Sequence, residues 1–151
     1  MFVRPFQKED TENVVRLWRR CGLTRPWNDP YSDIQRKLQV QPDWFLVGLI
    51  DGRLIASIMV GYEGHRGWIN YLAVDSEFRR QGLAHRLMVE AEQRLLEVGC
   101  PKINLQIRLD NVEAIEFYRS IGFVPDKTVS YGKRLIHDDD NHSATRAEYE
   151  V

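Results

Sequence analysis

The apolar residues of this chain change period once they have built three strands, and that change limits the folds open to it. Trp44-Phe45-Leu46-Val47-Gly48-Leu49-Ile50 is a continuous apolar run, Asp51-Gly52 is a tight-turn pair, and Arg53 to Tyr62 returns beside it. This pattern predicts a β-hairpin, with Trp68 to Val74 as the next strand. Leu83, Leu87, Ala91 and Leu95, joined by Ala84, Met88 and Leu96, then form one helical stripe that ends at Gly99. Ile103, Leu105 and Ile107 alternate with Asn104, Gln106 and Arg108, so the period returns to that of a strand. Hairpins make antiparallel neighbours and a crossover helix permits a parallel one. The expected class is therefore α/β (α+β), a mixed, mostly antiparallel central sheet with helices on both faces.

The remaining elements fit around this centre. Phe2-Val3-Arg4 reads as a short strand. Asp10 or Thr11 can cap a helix carrying Val14, Leu17, Trp18 and Cys21, which Gly22 stops. Leu23 to Pro30 holds two prolines and Asn28-Asp29 and reads as a loop, and Tyr31 to Val40 as a second short helix. Val112 to Ile121 is a helix closed by Gly122, and Phe123 to Ile136 supplies one or two final strands. The order is β-α-α-β-β-β-α-β-α-β-β.

No repeat or linker interrupts residues 1–136, so they form a single domain. Residues 137–151 contain Asp138-Asp139-Asp140 and little apolar content, and are expected to be a mobile acidic tail. The alternative is an ordered arm on a partner subunit, which leaves a homodimer open. A net charge of −1 lacks the basic excess of a nucleic-acid or anionic-membrane binder, so neither partner is expected. No apolar run approaches the roughly 18 residues of a membrane span, and the charged N-terminus lacks a signal-peptide core. The expected location is cytoplasmic. Cys21 and Cys100 have no metal-ligand spacing and read as buried thiols, and no metal is expected.

Arg79-Arg80-Gln81-Gly82-Leu83-Ala84 lies where a strand passes into the long helix. Such a junction leaves several backbone N–H groups unpaired at the positive end of the helix dipole, an arrangement that binds phosphate. Gly82 allows a tight turn and close approach of an oxygen, and the two arginines add charge. A glycine in a strand–helix loop also serves simply as a turn, and that reading stays open.

A second segment, Asp110 to Phe123, joins the first. Together they resemble the GNAT acetyltransferases: an Arg/Gln-x-x-Gly-x-Gly/Ala loop followed by Asn-x-x-Ala-x-x-x-Tyr-x-x-x-Gly-Phe. Arg79, Gly82 and Ala84 match the first motif, and Asn111, Ala114, Tyr118, Gly122 and Phe123 the second. The resemblance covers residues 2–136 in element order and implies the GNAT fold, with acetyl-CoA as co-substrate. It implies that backbone amides of Arg80, Gln81, Gly82, Leu83, Ala84 and His85 hold the pyrophosphate. Leu72, Ala73 and Val74 would pair with the pantetheine arm like a neighbouring strand, and a backbone N–H near Val74 would face the thioester carbonyl. Asn111 would contact the pantetheine or the phosphates, cap its helix, or do both. Tyr118 would be the general acid for the leaving sulfur, or else a core aromatic.

Some GNAT members place a Glu five residues before the motif Asn. Here that position is Gln106, which cannot act as a base. Glu63, in Gly61-Tyr62-Glu63-Gly64-His65-Arg66-Gly67, is the candidate replacement, with a solvated turn carboxylate as the alternative. His65 is a second candidate base, and Arg66 a candidate for an acceptor carboxylate. Trp27, Asn28 and Asp29 fall in the loop that walls the acceptor pocket in this family and would suit a small polar amine. The expected reaction is direct transfer of an acetyl group to a small-molecule or peptide amine, without a cysteine intermediate. A non-catalytic acetyl-CoA sensor or interaction domain is the competing reading.

Overall fold

Among residues 1–141, which the computed structural model describes, five strands pair in chain order to form one sheet. They are β1 (Phe2–Pro5), β2 (Phe45–Ile50), β3 (Arg53–Tyr62), β4 (Gly67–Val74) and β5 (Ile103–Asn104). The first four run antiparallel to their neighbours, and β5 runs parallel to β4. Asp51 and Gly52 turn the β2–β3 hairpin with both φ angles positive, at 50° and 77°, the geometry that right-twisted strands require of a two-residue turn.

The helices are α1 (Thr11–Arg20), α2 (Pro30–Leu38), α3 (Leu83–Glu97) and α4 (Val112–Ser120). They cover both faces of the sheet, as the period change predicts. On one face Val14, Leu17 and Trp18 of α1 and Ile34 of α2 pack on Phe45, Val47 and Met59. On the other, Leu87, Met88, Ala91 and Leu95 of α3 pack on Leu46, Ile55, Ile58 and Val60. The seven residues Leu54–Val60 of β3 are all buried, so the central strand reads as a run rather than an alternation. A Cβ at Gly67 would meet Leu95 at 2.9 Å and Cys100 Sγ at 3.1 Å, so this glycine sets how closely α3 approaches β4.

The one or two strands expected over Phe123 to Ile136 do not form. Pro125 offers no N–H to a ladder, Asp126 and Lys127 follow it, and Val124, Val129, Tyr131 and Leu135 all face solvent. Side chains, not backbone, tie the segment to the region of β5: Lys102 Nζ reaches both carboxylate oxygens of Asp126 at 2.8 Å, and Gln106 Nε2 donates to Ser130 Oγ.

Asp138 begins a four-residue helix, α5 (Asp138–Asn141). Its carboxylate is 3% exposed, accepts Arg36 Nη2 at 2.6 Å and Nη1 at 3.0 Å, and accepts the Asp29 N–H at 2.9 Å. The folded part therefore continues past Ile136 to this anchor, and residues 142–151 of the expected tail lie outside the described residues. Among the described residues no helix is long and apolar enough to cross a membrane. Cys21 and Cys100 are free thiols.

Candidate active site

β4 and β5 pair at only two positions, Gly67 with Ile103 and Trp68 with Asn104, and then diverge. Beyond the last of these pairs β4 carries an extra residue. Between the pairs Ser57–Ala73 and Met59–Asn70, β3 contributes one residue and β4 contributes two, Tyr71 and Leu72, so a β-bulge interrupts the ladder. Tyr71 sits at φ 52°, unusual for an aromatic residue, and its surroundings hold it there. The Trp18 ring stacks on it with centroids 3.8 Å apart. Trp18 Nε1 donates to Ser57 Oγ at 2.8 Å, and that hydroxyl donates to the Tyr71 carbonyl at 2.8 Å. The Tyr71 hydroxyl donates to Asp33 Oδ2 at 2.6 Å.

A cavity of about 650 Å³ opens in this V, and Tyr71, Leu72, Gln106, Asn111 and Tyr118 are on its wall. Tyr118 comes from α4, edge-on to Phe117 and Phe123 at 5.1 and 5.5 Å between centroids. Burial pushes its phenol up to about 12, so at neutral pH it holds its proton. Asn111 Oδ1 accepts the Ala114 N–H at 3.2 Å, so this residue caps α4 and lines the cavity at once. Cys21 is also on the wall, but burial raises its thiol above the ordinary value and its Sγ donates to the Val74 carbonyl. That disfavours a thiolate nucleophile.

The loop after β4 ends in an uncapped helix. Arg80 at φ 62° and Gly82 at φ 74° turn the chain into α3, whose first turn no side chain closes. The Arg86 N–H goes back to the Gly82 carbonyl at 3.0 Å, so the N–H groups of Leu83, Ala84 and His85 precede the first helical bond. A Cβ built at Gly82 meets nothing within 4 Å, so the space beside this glycine is open. Arg79 Nε donates to the Val74 carbonyl at 3.3 Å, and its Nη1 lies 3.9 Å from Glu113 in the first turn of α4. The loop before α3 thus reaches the first turn of α4, which carries the cavity-wall residues Asn111 and Ala114 at its start. The donors and the open space beside Gly82 fit a pyrophosphate.

The other sequence-selected residues scatter. Leu72 is on the cavity wall, Ala73 is buried against α1, and Val74 pairs with Ala56. Of the α1–α2 loop, Asn28 faces the cavity, while Trp27 is 40% exposed and carries the Arg108 guanidinium 5.1 Å above its ring. Asp29 does not face the cavity: it is buried, and its carboxylate caps α2 by accepting the Tyr31 and Ser32 N–H groups. Glu63 is not on the wall either. Its Oε1 closes the 63–66 turn by accepting the His65 N–H at 2.8 Å and the Arg66 N–H, which holds its carboxyl below the ordinary value. His65 and Arg66 share that exposed turn. Among the described residues no cluster of His, Cys, Asp or Glu could hold a metal.

Sequence reading missed Tyr71, Asp33, Arg25, Arg36, Lys37 and Arg108 as wall residues. Two of them left a signal: Arg108 ends the alternating run from Ile103, and Arg25 lies in the loop that carries Trp27, Asn28 and Asp29. The others meet only through the fold.

Comparison with known proteins agrees with this geometry. The family model described as the acetyltransferase (GNAT) family matches residues 11–123. An acetyltransferase of Pectobacterium atrosepticum is 46% identical over 138 residues, which is 91% of this chain and 98% of that protein. One of Sodalis glossinidius is 47% identical over 139 residues, with the same shares. Among solved structures, Ard1 of Thermoplasma volcanium superposes with a TM-score of 0.73 at 30% identity, covering 82% of each chain. The aminoglycoside antibiotic 6'-N-acetyltransferase of Acinetobacter haemolyticus has a TM-score of 0.69 at 23% identity, covering 90% of this chain and 99% of that one, which speaks to the fold alone.

Proposed function

This chain belongs to the acetyltransferase (GNAT) family, and from that premise we propose that it moves an acetyl group from acetyl-CoA directly to a small-molecule or peptide amine. The observation that carries the reading is the meeting of a half-buried, protonated phenol at Tyr118 with the bulge at Leu72 on one cavity wall.

Acetyl-CoA, when bound, supplies an activated acyl group as a thioester. The N–H groups of Leu83, Ala84 and His85, with Arg79, Arg80 and Gln81 beside them, hold the pyrophosphate over the open face of Gly82. The diverging edges of β4 and β5 receive the pantetheine arm as an extended segment, with Asn111 at its side. The bulge frees backbone groups from the β3 ladder, and the N–H of Leu72, in place of one near Val74, polarises the acyl carbonyl. Tyr118 holds the proton that the departing sulfur takes.

The amine must lose a proton before it attacks. Gln106 is an amide, Glu63 closes its own turn, and Asp33 has its two oxygens on Tyr71 and Arg36. The proton therefore leaves to solvent, and only the free amine reacts. Thiol release from acetyl-CoA across a panel of amines and peptides tests the reading. Release with at least one acceptor, lost in Tyr118→Phe, is the expected result. Tight acetyl-CoA binding with no acceptor among a broad panel would favour the sensor reading.

A further inference from the structure

Four cationic side chains, Arg25, Arg36, Lys37 and Arg108, line the cavity against one carboxylate, Asp33. Arg36 is already neutralised, since it pairs with Asp33 at 3.0 Å and with the buried Asp138 at 2.6 Å. Among the described residues the other three meet carbonyl oxygens or an aromatic ring. Arg25 Nη1 donates to the Gly22 and Thr24 carbonyls at 2.7 and 2.8 Å. Lys37 Nζ donates to the Val60 carbonyl, and Arg108 stacks over Trp27. Among the described residues no carboxylate pairs with any of these three. Lys37 is half-buried, and a half-buried cation without a counter-charge carries a desolvation cost that an anion removes.

These charges are not needed for the phosphates of the co-substrate. No residue from 79 to 85 lines the cavity. The cations come instead from the α1–α2 loop, from α2 and from the residues after β5, on the side left for the acceptor. A positive wall repels a polycationic acceptor. It also disfavours the ammonium form of a bound amine, which lessens the need for the carboxylate base that Gln106 does not supply.

We propose that the acceptor is a small amine carrying an anionic group, a carboxylate or a phosphate, held by Arg25, Lys37 and Arg108. This rests on the acetyl-transfer reading above. Arg supplies a planar pair of donors to either anion and Lys a point charge.

Matched pairs of amines test it: α-amino acids against their carboxamides, and aminoalkyl phosphates against the parent amino alcohols, followed by thiol release from acetyl-CoA. The anionic member of one pair should have kcat/KM at least about tenfold above its neutral partner. The pair that shows the larger ratio tells carboxylate from phosphate. Arg108→Ala should cut that ratio severalfold, Arg108→Lys should restore part of it, and the KM for acetyl-CoA should stay within twofold. Equal or higher efficiency for the neutral members overturns the inference and leaves acetyl transfer standing. Should no amine turn over, calorimetric titration of the same pairs onto the CoA-loaded protein decides separately. Anion-selective binding that Arg108→Ala abolishes supports the inference while the transfer reading fails, and unselective or absent binding overturns the inference as well.

Discussion

Arg36 and Asp138, 102 residues apart in sequence, meet through two hydrogen bonds that fasten the chain beyond Ile136 to the helix bordering the cavity. The carboxylate is buried and the guanidinium about half exposed, at 3% and 47%. The Asp29 N–H completes its shell, so one acidic side chain joins α2, its cap and the C-terminal segment.

Replacing this carboxylate should loosen all three. We expect Asp138→Asn to lower stability by about 1–2 kcal/mol, read by denaturant titration, since one partner of the pair stays in water. The Arg36 guanidinium holds the Asp138 carboxyl below its ordinary value, with the Asp29 N–H adding to the effect against a smaller cost of burial. A carboxyl lowered by folding stabilises above its unfolded pKa of about 4, and the benefit disappears as pH falls through the lower, folded value. Wild type and Asp138→Asn should thus differ at pH 7 and converge in acid.

Tyr118→Phe keeps the ring among Phe117 and Phe123 and removes only the proton. Turnover should fall about 10²-fold or more with acetyl-CoA affinity nearly unchanged, because that proton matters only as the sulfur leaves. Burial raises this phenol to about 12, so the protonated form persists well above the ordinary tyrosine range. The wild-type rate should show no alkaline decline near pH 10. Turnover equal in the two proteins would reduce Tyr118 to a core aromatic.

Gly82→Val fills the open space beside this position and forces a β-branched residue to a φ of 74°. Acetyl-CoA affinity measured by calorimetry should drop at least about 10²-fold. A stability loss of about 1–2 kcal/mol, from the left-handed backbone, should accompany it. Unchanged affinity in the folded variant would remove the loop from the phosphate site.

Glu63→Gln separates a base from a turn residue. With Oε1 engaged by its own turn, the substitution should leave the pH–rate profile within about twofold of wild type. The rate should instead rise with pH as the acceptor loses its proton. A profile that loses a limb in Glu63→Gln would restore Glu63 as the base.

Much of this site was legible in the sequence, for reasons that differ residue by residue. Gly82, Asn111 and Tyr118 each sit at a local feature, a turn, a cap or a helix position, and local features survive in one dimension. Asp29 reads as an acceptor ligand from its loop, but a cap and a ligand ask for the same side chain, and burial distinguishes them. The bulge at Tyr71 could not be read, because it is a mismatch of count between two strands and neither strand alone contains it. The cationic wall is likewise assembled from separate segments. The sequence predicts one or two strands over Phe123 to Ile136, but a strand needs a partner for its backbone, and here side chains make the contacts with the region of β5.

The seam between β4 and β5 has a mechanical consequence. Two residue pairs fasten this edge of the sheet, so it resembles a zip closed at one end only, and a molecule lying in the opening continues the teeth. Amides from Ile103 to Ile107 should exchange with deuterium faster than those of β3 in the free protein, and slow markedly once acetyl-CoA is present. The concentration of the co-substrate would then set how long this edge stays closed, and with it how readily a protease finds the segment from Ile103 to Ile107.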